Sequence, residues 1–357
     1  MIQLITIHQQ MEWDQIVQKS VCYDFYHTWY YHQMSQDGEP LLVKFTDGEI
    51  FIAFPLIKRS IPNSDFLDMT CVYGYTGPIS NIHFDKMDND IKEKFKSEFL
   101  TFLKDNKYVS VFSRLNPFLN QLPLMNVFEG IHDNGQVVVI DLQEPLEKQR
   151  SRYLRGFIKK IGKLKRDGFY VKEVQNAEDI KAFVTIYSEN MQLVGASSYY
   201  MFSEEYFEKL IHSSAFDCRL LMVYDHDKPV CGAIIVLTNK IIQFNFLGTL
   251  NSYRKFSPSK LLTDEIALLG RKLGMHIFNL GGGYGFQRDS LFGFKSSFSN
   301  LMSDFKSWRC IVDHKVYNEL LANANIGIDQ EVDFFPLYRY KALKEDVPKV
   351  LPKEELA

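Results

Sequence analysis

The sequence predicts an α/β protein of α+β type, with mixed, mostly antiparallel central sheets flanked by helices. Two β-hairpin signals support this, one around Asp47-Gly48 and one around residues 225–229. After each hairpin the chain continues with strand, helix and strand patterns. Alternation of hairpins with helices is typical of a mixed sheet and argues against an all-parallel Rossmann sheet.

The first half of the chain supplies one set of elements. The apolar residues of 41–45 and 50–57 flank Asp47-Gly48, which favours a two-residue hairpin turn. Residues 88–106 carry apolar side chains at helical spacing, and residues 109–115 read as a strand that stops at Asn116-Pro117.

The second half repeats this order without aligning residue by residue. It contains predicted helices at 177–191 and 258–273 and predicted strands at 220–224, 230–238, 241–248 and 276–280. We expect a first domain over 1–135, which a C-terminal helix within 313–341 could join. The second domain would cover 136–312, followed by a loose, charged tail at 342–357.

Composition narrows the function classes. The chain has 357 residues, of which 46% are hydrophobic and 24% charged, with a net charge of −3. This excludes a globally basic nucleic-acid binder but allows a local basic patch. The five dispersed cysteines form no CxxC pair and the nine histidines lack metal-ligand spacing, so we expect no metal. With no signal peptide pattern and no apolar run near the ~20 residues of a membrane span, we expect a cytoplasmic protein.

A strand-to-helix junction at residues 251–262 is a candidate anion site. Ser257 suits the N-cap and Pro258 the first helical position. The free N–H groups of a helix start attract anions, and Arg254, Lys255 and Lys260 add full charges there. An ordinary, well-capped helix is an equally weighted interpretation.

Two features follow the next predicted strand. Gly281, Gly282 and Gly283 would let a ligand or another backbone approach closely, although a flexible loop explains them as well. Lys295 stands beside Phe294 and could stabilise an oxyanion, although an isolated lysine is more often solvated.

A basic segment spans residues 150–166, which we predict to form one amphipathic helix. Its polar side includes Arg155, Lys159 and Lys163, and no acid interrupts it. A helix face that carries only positive charges suggests a phosphate-bearing partner. The alternative is an ordinary solvated face.

Taken together, these motifs resemble the Fem family of peptidoglycan-bridge aminoacyltransferases and the related GNAT acyltransferases. The residues that carry the resemblance occur in family order: Phe54-Pro55-Leu56, Tyr75-Thr76-Gly77-Pro78-Ile79, Phe112-Ser113-Arg114-Leu115-Asn116-Pro117, Lys163-Leu164-Lys165-Arg166-Asp167-Gly168, Phe256-Ser257-Pro258-Ser259, Asn279-Leu280-Gly281-Gly282-Gly283 and Phe294-Lys295.

The resemblance implies two tandem GNAT-like domains and a donor pyrophosphate cradled at Arg254-x-x-Ser257-x-Ser259. Serines stand there in place of the two glycines of the GNAT loop. It also implies that Lys295 contacts the tetrahedral intermediate, and that the donor is acetyl-CoA, another acyl-CoA or an aminoacyl-tRNA. The coiled-coil arm of some Fem proteins is absent.

The sequence therefore predicts an N-acyltransferase that acts on an amine of a sugar, a nucleotide-sugar or a peptidoglycan or other cell-envelope precursor. Lys295 and backbone N–H groups near Phe246, Leu247, Gly248 and Thr249 would stabilise the oxyanion. Asp289 is a candidate general base. Arg114 and Tyr75 join the basic helix and the glycines as candidate acceptor or phosphate contacts.

Two alternatives stay open: a peptidoglycan-bridge aminoacyltransferase that uses aminoacyl-tRNA, and a degenerate GNAT scaffold that binds nucleotide or RNA. A peripheral contact with a membrane is compatible with either one.

Overall fold

The structure is a computed structural model that describes residues 1–196, 200–326 and 333–340. These residues divide into two compact units, which we describe separately. The first contains Met1–Asn134 and the described part of Asp304–Glu345, and the second contains Gly135–Ser303. The predicted tail at 342–357 lies outside the described residues.

The helices and strands are numbered in chain order. The strands are β1 (Ile2–Thr6), β2 (Glu39–Asp47), β3 (Ile50–Ser60), β4 (Leu67–Thr70), β5 (Ile79–Ser80), β6 (Tyr108–Arg114), β7 (Ile131–Asp141), β8 (Phe169–Val174), β9 (Asp217–Asp225), β10 (Lys228–Thr238), β11 (Ile241–Thr249), β12 (Ile277–Gly281) and β13 (Leu301–Ile311). The helices are α1 (Gln10–Lys19), α2 (Trp29–Gln33), α3 (Asn89–Asp105), α4 (Leu122–Met125), α5 (Leu146–Ser151), α6 (Phe157–Arg166), α7 (Ala177–Leu193), α8 (Glu204–Ile211), α9 (Pro258–Lys272), α10 (Ser290–Ser296) and α11 (His314–Asn323).

The first unit is built on a mixed sheet in the order β1-β2-β3-β4-β6-β13, with β5 added to β3. The hairpin β2-β3 turns at Gly48, whose φ of 58° suits a residue without a side chain. The pairing of β4 with β6 is parallel, and α3 forms the crossover between them. Aromatic side chains of α3, including Phe95 and Phe99, pack with Trp308 of β13 in the core.

The second unit has a sheet in the order β7-β12-β11-β10-β9-β8. Strands β8 to β11 are antiparallel neighbours, whereas β11 and β12 are parallel with α9 as the crossover. The order of antiparallel strands, parallel pair and crossover helix is the same as in the first unit. The predicted fold class, a mixed and mostly antiparallel sheet flanked by helices, is confirmed.

Helices cover both faces of the second sheet. The apolar sides of α6 and α9 share a core with Ala233 and Ile235. On the other face, Gly248 allows α7 to approach closely, because a Cβ at this position would lie 3.0 Å from the Cα of Tyr187. The sheet and α9 together position the candidate site described below.

The structure departs from the predicted elements in two places. Residues 150–166 form no single helix: the chain leaves α5 after Ser151, and α6 begins after Gly156, whose φ is 89°. That left-handed backbone interrupts a helix. Residues 307–311 of β13, which we expected in the second domain, pair with β6 of the first unit.

A buried carboxylate ties the C-terminal segment to the first unit. Asp68 of β4 is fully buried and accepts from Nε of Arg59 at 2.7 Å and Nε of Arg339 at 2.6 Å. The Tyr338 hydroxyl also donates to Asp68, at 2.8 Å. The two cations and the hydroxyl compensate for the removal of this charge from water.

Replacement of Asp68 tests this contact. We expect Asp68→Asn to destabilise the protein by about 3 kcal/mol, because two guanidinium groups lose their counter-charge. Urea unfolding followed by circular dichroism measures the change. Asp65→Asn is the matched control, since Asp65 is exposed. A change at Asp68 no larger than that of the control would contradict this role.

Candidate functional site

The candidate site lies where β11 and β12 separate within the second unit. Their parallel pairing covers only Ile241–Gln243 against Ile277–Asn279. At the last pair, Asn279 Nδ2 donates to Gln243 Oε1 at 2.7 Å, and both side chains are buried. Beyond this pair, residues 244–249 of β11 continue along β10, while β12 no longer pairs with them.

A β-bulge lies within β11, shortly after this pair. Ile234 of β10 pairs with Phe246 and Ile235 pairs with Phe244, so Asn245 is the extra residue. A bulge re-aims the backbone groups beside it. Of the predicted oxyanion donors, Phe246 to Thr249 follow this bulge, and the N–H of Thr249 donates to Asn190 Oδ1 at 3.4 Å.

The glycine loop after β12 holds Lys295. Asn279 Oδ1 accepts the N–H of Gly281 at 2.9 Å, which fixes the start of the loop. Lys295 Nζ then donates to the carbonyl oxygen of Gly282 at 2.6 Å. Burial lowers the pKa of Lys295 to about 8, although the Asp289 carboxylate partly opposes this shift. This partly buried lysine is therefore held by the glycine loop.

Asp289 and Phe294 belong to the same small assembly. Both carboxylate oxygens of Asp289 accept backbone N–H groups, one from Phe292 at 2.8 Å and the other from Tyr284 at 3.0 Å. These bonds cap α10 and close the glycine loop, which is a structural role. Phe294 lies edge-on to Phe298, with ring centroids 5.4 Å apart, and so fixes α10 against the core.

The start of α9 differs from the predicted N-cap. Ser257 has a φ of 56° and its side chain does not cap the helix. Its Oγ instead accepts from Lys160 Nζ of α6 at 3.0 Å. Lys260 Nζ lies 4.1 Å from the centre of the Phe157 ring, and its pKa is lowered by burial and by the nearby charge of Lys160. Two ammonium groups therefore converge at the first turn of α9.

The same turn offers few backbone donors to a pyrophosphate. Pro258 has no N–H, and the N–H of Lys260 donates to the Ser257 carbonyl at 3.1 Å. Of the first three residues of α9, this leaves the N–H of Ser259 for a ligand. Arg254 and Lys255, both exposed, extend the positive charge along the preceding turn. Side-chain charge thus replaces much of the backbone cradle at this position.

The cations from Lys148 to Arg166 separate into two groups. Five of them pair with carboxylates: Lys148 and Arg152 with Glu144, Arg150 with Asp264, Lys163 with Asp167, and Lys165 with Glu265. Arg155, Lys159, Lys160 and Arg166 have no carboxylate partner among the described residues. Among the predicted phosphate contacts of this segment, Arg155 and Lys159 therefore have no carboxylate partner in the described residues, whereas Lys163 is paired with Asp167.

Two predicted acceptor contacts lie in the first unit. The N–H of Arg114, at the end of β6, donates to Cys71 Sγ at 3.3 Å. The Tyr75 ring packs edge-on against Phe305, with centroids 5.1 Å apart. Their assignment to the acceptor stays a prediction.

The sequence analysis did not identify Lys160, Gln243 or Asn279 as part of the site. Lys160 was only one of several cations on a helix, and no sequence signal separates it from Lys159. Gln243 and Asn279 are polar residues inside otherwise apolar strands, which was the one available signal, because a buried amide requires a partner.

Comparison with known proteins agrees with this geometry. Residues 148–294 match the family model described as acetyltransferase (GNAT) domain. The structure of FemX superposes with a TM-score of 0.67 at 12% identity, covering 89% of this chain and 99% of that one. No curated protein matches the sequence.

Two further solved structures are also similar. The C-terminal domain of a putative lysylphosphatidylglycerol synthetase from Agrobacterium fabrum has a TM-score of 0.56 at 14% identity, and the match covers 92% of this chain and 99% of that one. L-PGS from Bacillus licheniformis has a TM-score of 0.57 at 14% identity, with 89% and 96% covered. At these identities the likeness shows the fold. With the family match, it confirms the predicted resemblance to a Fem-like GNAT protein.

The tight glycine loop gives a prediction about stability. A Cβ at Gly283 would lie 1.9 Å from the Gln287 carbonyl oxygen and 2.4 Å from Asp289 Oδ1. We expect Gly283→Ala to destabilise the protein by about 1–3 kcal/mol, because the loop must open to admit the methyl group. Gly293→Ala in α10 is the control, since a Cβ there meets nothing within 4 Å. Thermal melting compares them, and equal melting temperatures would contradict the close packing.

Proposed function

We propose that the protein is an N-acyltransferase whose chemistry takes place where β11 and β12 separate. The observation that carries this proposal is Lys295, which is held on the carbonyl of Gly282, directly after β12, with a pKa lowered to about 8. A lysine of this kind is still mostly charged at neutral pH and is fixed in direction. Such a group can meet negative charge that develops during acyl transfer.

In the proposed reaction an acceptor amine attacks the acyl carbon of an activated ester or thioester. The carbonyl oxygen becomes an oxyanion, which the ammonium group of Lys295 stabilises together with backbone N–H groups after the bulge at Asn245. Collapse of the intermediate expels the donor's thiolate or ribose oxygen, and the amine loses one proton to solvent or to a substrate group. The amide bond forms as the ester or thioester bond breaks.

The first turn of α9 is the proposed place for a phosphate of the donor. Lys160 and Lys260 would supply the charge that the backbone lacks at Pro258, and Arg254, Lys255 and Ser259 would line the approach. An acyl-CoA and an aminoacyl-tRNA share this phosphate chemistry. The reduced backbone cradle favours aminoacyl-tRNA, whereas the strand-to-helix position is shared with acyl-CoA-dependent GNAT proteins.

The acceptor is proposed from the resemblance to FemX and from the sequence. It is an amine on a sugar, a nucleotide-sugar or a peptidoglycan or other cell-envelope precursor. Within the second unit, the glycine loop is proposed to contact it. No helix among the described residues is both long enough and apolar enough to span a membrane.

Substitution of Lys295 tests the catalytic proposal. We expect Lys295→Met to lower kcat by roughly a hundred- to a thousandfold while donor affinity holds, because the contact forms with the transition state. Single-turnover transfer measures the rate. Lys272→Met on the exposed end of α9 is the control. A kcat within about threefold of wild type would refute the role of Lys295.

The pH profile adds an independent readout. The wild-type rate should fall as pH rises through about 8, because Lys295 then loses the proton that gives it its charge. Lys295→Arg keeps its charge to much higher pH. The arginine variant should therefore show no fall in this range, whatever its absolute rate.

The donor site can be tested by calorimetry with coenzyme A and, separately, with charged tRNA. Loss of one charge-assisted contact typically weakens binding by roughly ten- to a hundredfold. We expect this loss for Lys160→Gln and for Lys260→Gln, but not for Lys172→Gln, an exposed control on β8. Whichever ligand shows the loss is the donor, and unchanged affinity for both would refute this site.

A further inference from the structure

Three uncompensated cations lie on the solvent side of α6 and in the turn that precedes it. Arg155, Lys159 and Arg166 are exposed and have no carboxylate partner among the described residues. The opposite side of α6 is buried in the core through Phe157, Ile161 and Leu164. Successive helical residues turn by about 100°, which places position 158 beside 162 and 166, with Lys159 next to them.

Two aliphatic side chains stand among these cations. Leu154 is 60% exposed and Ile158 is 43% exposed. They alternate with Arg155 and Lys159 along the chain, so the solvent-exposed surface here is both cationic and aliphatic. A helix side that only faces solvent carries polar residues at such positions.

We propose that this surface docks onto an anionic lipid bilayer. The docking face consists of Leu154, Arg155, Ile158, Lys159 and Arg166. Its cations would meet headgroup phosphates, while the two aliphatic side chains enter the boundary between headgroups and acyl chains. The combination of both chemistries on one exposed surface, formed by α6 and the turn before it, carries the proposal.

Other occupants fit this surface less well. An RNA would neutralise the three cations, but proteins that hold single strands stack bases on aromatic rings, and the five residues of the docking face include none. A second copy of the chain, docked face to face, would bring like charges together. A bilayer satisfies the charges and the aliphatic groups at once.

The expected binding is reversible and depends on charge. Each cation near an anionic membrane contributes roughly fivefold in affinity, and this contribution weakens with added salt. Ile158 on α6, a helix of 10 residues, and Leu154 before it provide limited apolar area. Membrane attachment should therefore follow the content of anionic lipid closely.

Co-sedimentation of the full chain with vesicles tests the proposal. We expect binding to mixed phosphatidylglycerol–phosphatidylcholine vesicles at low salt and none to pure phosphatidylcholine. Lys159→Glu should weaken binding at least fivefold, and Arg155→Glu with Lys159→Glu should abolish it. The pair Leu154→Ser and Ile158→Ser, which leaves the charge unchanged, should weaken binding severalfold.

Matched controls lie on the first unit. Lys86→Glu reverses an exposed charge and Met11→Ser removes an apolar side chain that is 81% exposed. Both should bind vesicles as the wild type does. Circular dichroism establishes that each variant is folded, and the single variants Lys159→Glu and Ile158→Ser replace any double variant that is not.

Two results would overturn the proposal. The first is wild-type protein that does not sediment with anionic vesicles. The second is serine variants that bind vesicles as tightly as wild type, which would reduce the face to a simple charge patch. If tRNA, and not vesicles, loses affinity with the glutamate variants, the face binds RNA. Because sedimentation involves no acyl transfer, failure here leaves the proposed enzymatic function standing.

Discussion

The side chain of Asn279 joins the elements on which the candidate site depends. It donates to Gln243 across the last residue pair of β11 and β12, and it accepts the N–H of Gly281 at the start of the glycine loop. The buried amide therefore determines where the two parallel strands stop pairing and how the loop departs. An unpaired buried amide costs roughly 1–3 kcal/mol, so the pair Gln243–Asn279 favours one arrangement strongly.

The position of Lys295 follows from that loop. The Gly282 carbonyl is the acceptor for its ammonium group, and Asp289 closes the loop from the other end through two backbone N–H groups. The glycine at 283 is required because neighbouring oxygens occupy the space of a side chain. Strand pairing, loop closure and the direction of the ammonium group thus form one connected set of hydrogen bonds.

The sequence predicted the elements that local chemistry determines. The turn at Gly48 follows from a residue that tolerates a positive φ, and the start of α9 follows from Pro258, whose ring fixes its φ. The apolar periodicity predicted the helical segment at 157–166 but extended the helix back to residue 150. The left-handed backbone at Gly156 interrupts the helix without changing the apolar spacing. Ser257 was expected to cap α9 because serine is a common N-cap residue. Its φ is positive, and its side chain contacts Lys160 instead.

The missed site residues depend on partners that are distant in the chain. Gln243 and Asn279 are 36 residues apart, and Lys160 and Ser257 are 97 apart, so no window of sequence contains either pair. The cations of α5 and α6 separate in the same way. Arg150 and Lys165 form ion pairs with carboxylates on α9, a helix that is distant from them in the sequence. The exposed cations that remain near Ile158 have no such partner among the described residues; they are Arg155, Lys159 and Arg166. A net charge counted along the chain cannot distinguish these cations from the paired ones.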